Sequence, residues 1–356
     1  MEKSLLLSLL LISTSSFAKS AQTKVIYGDD NRADVNDSTN PMYLRLAEST
    51  AAMISNHKIK ELNNMQVELV GRTLQQNGMC ETERFSQQLA VGNCSGFLVA
   101  PNKLVTAGHC IRSQSDCSNS SWVFDYKADY PTQKEFILDK TSVYKCVSIV
   151  SQKLDSTNEN DYALIELDRE VVGRQPLKFR TAGKPKVGDP LVVIGHPSGL
   201  PTKITDGANV RKINDVYLTA NLDTYGGNSG SAVFNSDTGI IEGILVRGEQ
   251  DYVYNSDKGC SESNVVGNNS GRGEDVTLIA MVEGLEVQPE QPSEPEQPEQ
   301  PSEPEQPEQP SEPEQPEQPS EPEQPEQPEQ PAPPAAEPDE EPLSFWDRLV
   351  RWLLGR

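Results

Sequence analysis

From about Cys80 to Leu285 the chain consists of short apolar runs that alternate with Gly, Pro, Asn and Asp. The runs are rich in β-branched and aromatic residues, as in SGFLVA, KLVTA, DYALIEL, PLVVIG, VYLTANL and GIIEGILV. Short runs of this kind, bounded by turn residues, are typical of strands, and patterns of helical length are few. The sequence therefore predicts an all-β sandwich or barrel arrangement over roughly 200 residues.

Residues 19–76 precede this region and have a different pattern of polar and apolar residues. They are polar at first, and over 43–62 they carry apolar residues at roughly helical spacing among good helix formers. We interpret 19–76 as a pro-region or N-terminal extension that contains a helix, ahead of a main domain at 77–286. His57 falls within the predicted helix, where exposure to solvent is expected.

The N-terminus, MEKSLLLSLLLISTSSFAKS, combines a Lys, a short apolar run and small residues at Ser16 and Ala18. This is the layout of a secretory signal peptide over residues 1–18, cleaved after Ala18. The run is too short for a membrane-spanning helix, and an uncleaved anchor is the alternative. We therefore expect the protein to be secreted, periplasmic or associated with the cell surface.

The C-terminal part is a low-complexity spacer over 287–342, where PSEPEQPEQ recurs and Pro occupies every third position from 289 to 331. A Pro at every third position matches the three residues per turn of a polyproline II helix, so we expect an extended, disordered spacer. A ligand for a proline-reading domain is the alternative. Residues 343–356 then predict a short amphipathic helix, which either lies on a membrane surface or docks on protein.

The formal net charge of the 356-residue chain is -23, but it is unevenly placed. Eighteen acidic residues and no Lys or Arg lie in 287–342, which leaves about -5 for the rest. This charge gives no reason to expect nucleic-acid binding. The six cysteines include no CxxC pair, so an oxidised framework is favoured over a metal site.

The three histidines, His57, His109 and His196, all precede the Gly-rich stretch DTYGGNSGSAVF that contains Ser229. This order excludes an α/β-hydrolase, whose catalytic serine comes before its histidine. His109 ends the strand-like run LVTAGHC, and Asp161 begins the run DYALIEL. A serine becomes nucleophilic when an imidazole takes its proton and a carboxylate orients that imidazole. His196 follows a buried-looking strand, and for it we predict a structural hydrogen-bonding role.

Three segments, CSGFLVAPNKLVTAGHC, DYALIEL and GGNSGSAVF, resemble in order and spacing the signature segments of chymotrypsin-fold (trypsin-like) serine proteases. The GNSGS form is similar to the bacterial branch that contains the glutamyl endopeptidases. The resemblance implies two packed six-stranded antiparallel barrels. It also implies His109 as general base, Asp161 as its orienting acid and Ser229 as nucleophile, with the backbone N–H groups of Gly227 and Ser229 as oxyanion hole.

The resemblance further implies a disulfide between Cys94 and Cys110, and it calls for no cofactor and no metal. The other four cysteines allow three pairings. Because Cys117 and Cys146 are nearer in sequence, we favour that pair, which leaves Cys80 with Cys260.

Maturation is predicted to differ from that of the animal enzymes. There a new N-terminal ammonium pairs with an Asp before the nucleophile, but Asn228 occupies that position and cannot form the ion pair. The stretch VIYGDDNR resembles the mature N-terminus of the glutamyl endopeptidases, and Lys24 precedes it. We therefore hypothesise a pro-peptide over 19–24 that is removed at Lys24.

The residues predicted to bind substrate give mixed signals. In register with trypsin-like enzymes, Asp223 falls at the floor of the pocket for the residue before the scissile bond (P1), where it would favour Lys or Arg. A structural role within its own loop is the alternative. The glutamyl branch places a histidine near EGILVRGE, and none is present here. Arg247 would attract acidic substrates or balance Glu242 and Glu249.

With Thr224 and Gly248 as further pocket residues, we slightly favour a basic over an acidic P1 preference. The sequence thus predicts a monomeric, secreted serine endopeptidase that acts on proteins or peptides through an acyl-enzyme. The rival interpretation is a catalytically inactive protease-like binding module displayed on a rigid spacer.

Overall fold

The computed structural model describes residues 26–285. The predicted signal peptide, pro-peptide, spacer and terminal helix lie outside the described residues. Within 26–285 there are two α-helices, α1 (Pro41–Glu48) and α2 (Gln114–Asn119). Neither of these helices is long and apolar enough to cross a membrane.

Strands dominate the described part of the chain. They are β1 (Ile26–Tyr27), β2 (Arg32–Asp34), β3 (Thr50–Ser55), β4 (Ile59–Glu61), β5 (Gln66–Leu69), β6 (Gly92–Ala100), β7 (Lys103–Thr106), β8 (Ser120–Val123), β9 (Phe136–Asp139), β10 (Val143–Leu154), β11 (Asp161–Leu167), β12 (Pro190–Gly195), β13 (Lys203–Ile213), β14 (Tyr217–Ala220), β15 (Ala232–Asn235), β16 (Ile241–Arg247), β17 (Tyr252–Asn255), β18 (Cys260–Ser263), β19 (Val265–Val266) and β20 (Glu274–Leu278).

Two closed antiparallel barrels of six strands each form the body of the molecule. The first runs β10-β11-β7-β6-β3-β8. The second runs β12-β15-β16-β20-β14-β13 and is closed by pairing of β12 with β13. Full closure leaves no unpaired edge in either ring. The predicted all-β fold of two six-stranded barrels is confirmed.

The predicted helix over 43–62 is wrong beyond its first turns. Helix α1 is capped by the Asn40 side chain, has Pro41 at its first turn and ends at Glu48. The next residues form β3, which is buried along almost its whole length and pairs with β6 and β8. Small and β-branched side chains suit that position, and tertiary pairing overrides the helical spacing.

The N-terminal segment belongs to the barrels and is not a separate extension. Strand β3 supplies one of the six strands of the first barrel, and β2 adds to β13 at the second. Strand β1 pairs in parallel with β19. The double-barrel fold therefore starts well before the predicted boundary at residue 77.

Three disulfides join the same cysteines that the sequence analysis pairs: Cys94 with Cys110, Cys117 with Cys146, and Cys80 with Cys260. The last bond has a sequence separation of 180 residues. It ties the loop after β5 to the β17–β18 hairpin and so links the two halves of the chain.

Candidate active site

His109 and Asp161 meet at the edge of the first barrel. Asp161 is the first residue of β11 and is buried, whereas the His109 side chain is 25% exposed. The backbone N–H of His109 donates to Asp161 Oδ1 at 3.0 Å, and His109 Nδ1 lies 2.8 Å from Asp161 Oδ2. One carboxylate oxygen therefore holds the backbone of His109 and the other orients its imidazole.

Gly108 makes this pairing sterically feasible. A Cβ at this position would fall 2.1 Å from the Lys153 carbonyl oxygen and 2.7 Å from that of Tyr162. Only glycine lets the turn after β7 approach β10 and β11 so closely. The glycine of TAGH thus places His109 beside Asp161.

The turn that carries Ser229 lies between β14 and β15 of the second barrel and is held by the first. The Ser95 backbone N–H donates to the Ser229 carbonyl at 2.8 Å. Gly230 has a φ of +87°, and a Cβ there would fall 2.1 Å from the Ser95 carbonyl oxygen. Ser95 follows Cys94, and His109 precedes Cys110, so the disulfide connects the segment that holds Ser229 to the residue next to His109. The three predicted catalytic residues are thus brought to one region between the barrels.

The two predicted oxyanion donors are available for a ligand. Within residues 26–285, the backbone N–H groups of Gly227 and Ser229 have no protein acceptor. Both residues are partly exposed. By contrast, Asn228 and Ser231 are buried, and the Ser231 hydroxyl donates to Asn228 Oδ1 at 3.3 Å. Ser231 is thus buried, with its hydroxyl engaged by Asn228.

Asp223 binds the N-terminal segment. Its Oδ1 accepts from the Tyr27 backbone N–H at 2.7 Å, and its Oδ2 accepts from the Asn31 N–H at 3.1 Å. Burial raises the pKa of Asp223 to about 6, against the effect of these two hydrogen bonds. Both oxygens are thus engaged by backbone, but by the N-terminal segment and not by the loop of Asp223 itself.

The carboxylate next to the predicted pocket residues is instead that of Glu274, at the start of β20. Its Oε2 accepts from Thr224 Oγ1 at 2.7 Å, and a Cβ at Gly248 would fall 1.7 Å from the same oxygen. Burial raises the pKa of Glu274 to about 8. Sequence analysis missed Glu274 because no motif marks it, and only the pairing of β14 and β16 with β20 brings it there.

Arg247 is balanced by partners other than those predicted. Its Nε lies 3.4 Å from Asp275 Oδ2, and its Nη1 donates to the Glu159 carbonyl at 3.1 Å. Glu242 is paired with Arg180. The Glu159 carboxylate lies 3.8 Å from Nη2, so the charge of Arg247 is balanced by Asp275 and Glu159.

The other histidines lie outside the site. His57 is exposed, in a 3-10 turn at Asn56–Lys58 and not in the predicted helix. His196 is fully buried, with ring nitrogens 3.3 Å from Ser95 Oγ and 3.0 Å from Thr202 Oγ1. It has the hydrogen-bonding environment that the sequence analysis predicts.

The double barrel with a His–Asp pair and a Gly-rich serine turn between its halves defines the class of chymotrypsin-fold proteins. Residues 94–244 match the family model of the trypsin-like peptidase domain. This match confirms the resemblance of this part of the chain to trypsin-like serine proteases.

Two curated relatives match part of the chain. A glutamyl endopeptidase of Bacillus licheniformis is 30% identical over 156 residues, which cover 42% of this chain and 47% of the relative. An extracellular metalloprotease of Bacillus subtilis is 33% identical over 153 residues, covering 41% and 48%. The chain thus spans about half the length of the curated relatives it matches.

Solved structures of similar architecture include a Glu endopeptidase in complex with MPD, with a TM-score of 0.42, 19% identity and coverage of 72% of this chain and 95% of that one. The Vibrio cholerae VesB protease has a TM-score of 0.41 and 14% identity, with coverage of 72% and 65%.

One group of described residues has the composition of a metal site, namely Cys94, His109 and Cys110. The two sulfurs are bonded to each other, so neither is available as a thiolate ligand. This cluster therefore gives no support for a metal site, although the name of one relative contains the word metalloprotease.

Proposed function

We propose that the protein is an exported serine endopeptidase that cleaves peptide bonds through an acyl-enzyme. The observation that carries this proposal is the His109–Asp161 pair beside a serine turn whose Gly227 and Ser229 N–H groups lack protein acceptors. Export agrees with the predicted signal peptide and with the word extracellular in the name of one relative.

The proposed mechanism assigns one step to each group. Asp161 accepts a hydrogen bond from the Nδ1–H of His109, which leaves Nε2 as the acceptor in the neutral ring. His109 then takes the Ser229 hydroxyl proton as that oxygen attacks the scissile carbonyl, and returns it to the leaving amine. The developing oxyanion receives hydrogen bonds from Gly227 and Ser229, and a water molecule later hydrolyses the ester by the same route.

A fluorophosphonate probe, which bonds covalently to an activated serine, tests this proposal on the secreted protein. Wild type should be labelled and Ser229→Ala should not. Ser231→Ala is the matched control, because that serine is buried in the same turn, and it should be labelled like wild type. An unlabelled wild type would reject the enzyme and favour the inactive binding module.

For the specificity pocket we propose a basic P1 preference that rests on Glu274. Its carboxylate lies against Gly248 and Thr224, where a cationic substrate side chain would lower its raised pKa and be attracted in return. A peptide library with Lys, Arg, Glu, Ala or Phe at P1 tests this. We expect Glu274→Gln to reduce kcat/KM for Lys and Arg and to spare Ala. Preferred cleavage after Glu would contradict the proposal.

We further propose maturation at Lys24, leaving a segment that is built into the fold. Ile26 and Tyr27, just after the proposed cleavage site, are buried and form β1. Mass spectrometry of the secreted protein should find Val25 as the first residue. A chain that starts at Lys19 would reject a removable pro-peptide. A monomeric state and membrane contact through 343–356 stay predictions, which sedimentation and liposome flotation would test.

A further inference from the structure

Ser198 has an unusual backbone conformation close to the proposed oxyanion hole. It lies in the short 3-10 turn Pro197–Gly199 between β12 and β13, with φ 55° and ψ 19°. Few residues other than glycine adopt this left-handed region, because it costs about 1 kcal/mol or more. The surrounding structure must therefore stabilise this turn.

Both peptide groups of Gly226 are held by hydrogen bonds. The Ser198 backbone N–H donates to the Gly226 carbonyl at 2.6 Å. On the other side, the Gly226 N–H donates to Asp251 Oδ2, also at 2.6 Å. Gly226 is exposed and has no side chain that could restrict it, so these two contacts determine its orientation.

The orientation of the Gly226 carbonyl determines that of the Gly227 N–H. The two groups belong to one peptide unit, which is trans, so they point in opposite directions. With the carbonyl directed at Ser198, the N–H points away from the turn, and it has no protein acceptor within the described residues. If this peptide flipped, the carbonyl oxygen would point where an oxyanion must bind.

Gly227 also packs closely against the turn that contains Ser198. A Cβ there would fall 2.6 Å from the His196 carbonyl oxygen and 2.7 Å from the Gly199 nitrogen. Ser95 Oγ donates to the Gly227 carbonyl at 2.8 Å and accepts from the His196 N–H at 2.9 Å. The turn therefore packs directly against this peptide.

The two supports of Gly226 are also joined to each other. Ser198 Oγ lies 2.5 Å from the hydroxyl of Tyr252, the residue after Asp251. The Tyr252 ring packs on Tyr225 with ring centroids 4.9 Å apart. The Ser198 turn and the start of β17 thus form a clamp around Gly226.

We propose that Ser198 and Asp251 are positioning residues that hold the Gly226–Gly227 peptide with its N–H directed into the oxyanion hole before substrate binds. This inference rests on the proposed function, since the hole has meaning only for acyl transfer. A preformed donor stabilises the transition state more than the bound substrate, so its loss lowers kcat and leaves KM nearly unchanged.

The test uses Asp251→Ala, Asp251→Asn and Tyr252→Phe in the full mature chain. Loss of one oxyanion donor typically costs about 100- to 1000-fold in rate, and a donor that is only sometimes misdirected should cost less. We expect Asp251→Ala to lower kcat about 10- to 100-fold with KM within about twofold. Asp251→Asn keeps an oxygen that can accept from Gly226, so it should restore most of the rate. Tyr252→Phe keeps the ring but loses the Ser198 contact, and it should lower kcat several-fold.

A transition-state analogue separates positioning from general stability. Affinity for a peptide trifluoromethyl ketone, whose adduct carries an oxyanion, should fall in Asp251→Ala by the same factor as kcat/KM. Asp257→Ala, an exposed residue of the same hairpin, is the control and should match wild type.

Unchanged kcat and inhibitor affinity in Asp251→Ala would overturn the inference, as would failure of Asp251→Asn to restore the rate. If Asp251→Ala does not fold, Tyr252→Phe decides, and an unchanged kcat in it would refute the clamp. If wild type neither turns over peptides nor accepts the fluorophosphonate, the proposed function itself fails, which is a distinct result.

Discussion

Acidification should weaken the fold through His196, the buried histidine behind the serine turn. Burial lowers its pKa to about 3, with a smaller effect from the charge of Lys203, whereas an unfolded histidine titrates near 6.5. Between these values the unfolded chain binds a proton that the folded protein rejects. The free energy of unfolding must therefore fall as pH drops below about 6.5.

The size of the effect follows from the two pKa values. At pH 8 both states are neutral and His196 contributes no pH dependence. At pH 5 the unfolded state is favoured by about 2 kcal/mol through this residue alone, because each unit of pKa difference that is titrated corresponds to about 1.4 kcal/mol. The limit below pH 3 is about 5 kcal/mol.

The assay is urea unfolding of the active-site variant Ser229→Ala, which prevents self-digestion, at pH 5 and pH 8, with and without His196→Gln. Other titrating groups contribute equally to both proteins and cancel in the difference. His196→Gln should lose about 2 kcal/mol less than its parent between pH 8 and pH 5, whatever its absolute stability. His57→Gln, at an exposed histidine, should keep the pH dependence of the parent. Equal pH dependence with and without His196 would refute the argument.

Three further predictions concern the site. Asp161→Asn should lower kcat about 10⁴-fold, because the amide no longer holds His109 in the required tautomer, as measured by peptide hydrolysis. Gly108→Ala should displace His109 and reduce kcat/KM about 100-fold, and retained activity would show that the close approach to β10 is not required. Asp223→Ala should lower the unfolding free energy by about 1–3 kcal/mol, since it removes the acceptor of the buried Tyr27 N–H. In Asp223→Asn any basic P1 preference should persist, and its loss would restore Asp223 as the pocket floor.

The strands could be predicted well from local signals, whereas the Cys80–Cys260 bond, with a sequence separation of 180 residues, was predicted only as the pair left over. Runs such as DYALIEL and PLVVIG are strands in the structure because their apolar, β-branched residues suit a buried barrel wall. The segment 43–62 was harder, because its apolar residues recur at roughly helical spacing although TAAMIS within it forms a strand. It becomes β3 only when β6 and β8 are beside it, and a local pattern cannot contain that information.

Some residues of the candidate site could likewise be predicted from local motifs, and others could not. His109, Asp161 and Ser229 could be named from their motifs, since each lies in a short segment with a distinctive glycine or strand context. Glu274 and Asp251 could not, because each is an ordinary acidic residue until a distant segment packs against it.

The sequence by itself determined the strand-rich fold class and marked the three candidate catalytic residues, because these depend on residue types at short spacings. Only the tertiary structure decided that Asp223 holds the N-terminal segment and that Glu274 lies beside Gly248. It alone placed the Ser198 N–H against Gly226. The physical reason is that the burial, the hydrogen-bond partners and the pKa of a side chain depend on which distant strands pack beside it. Closure of the barrels determines that packing.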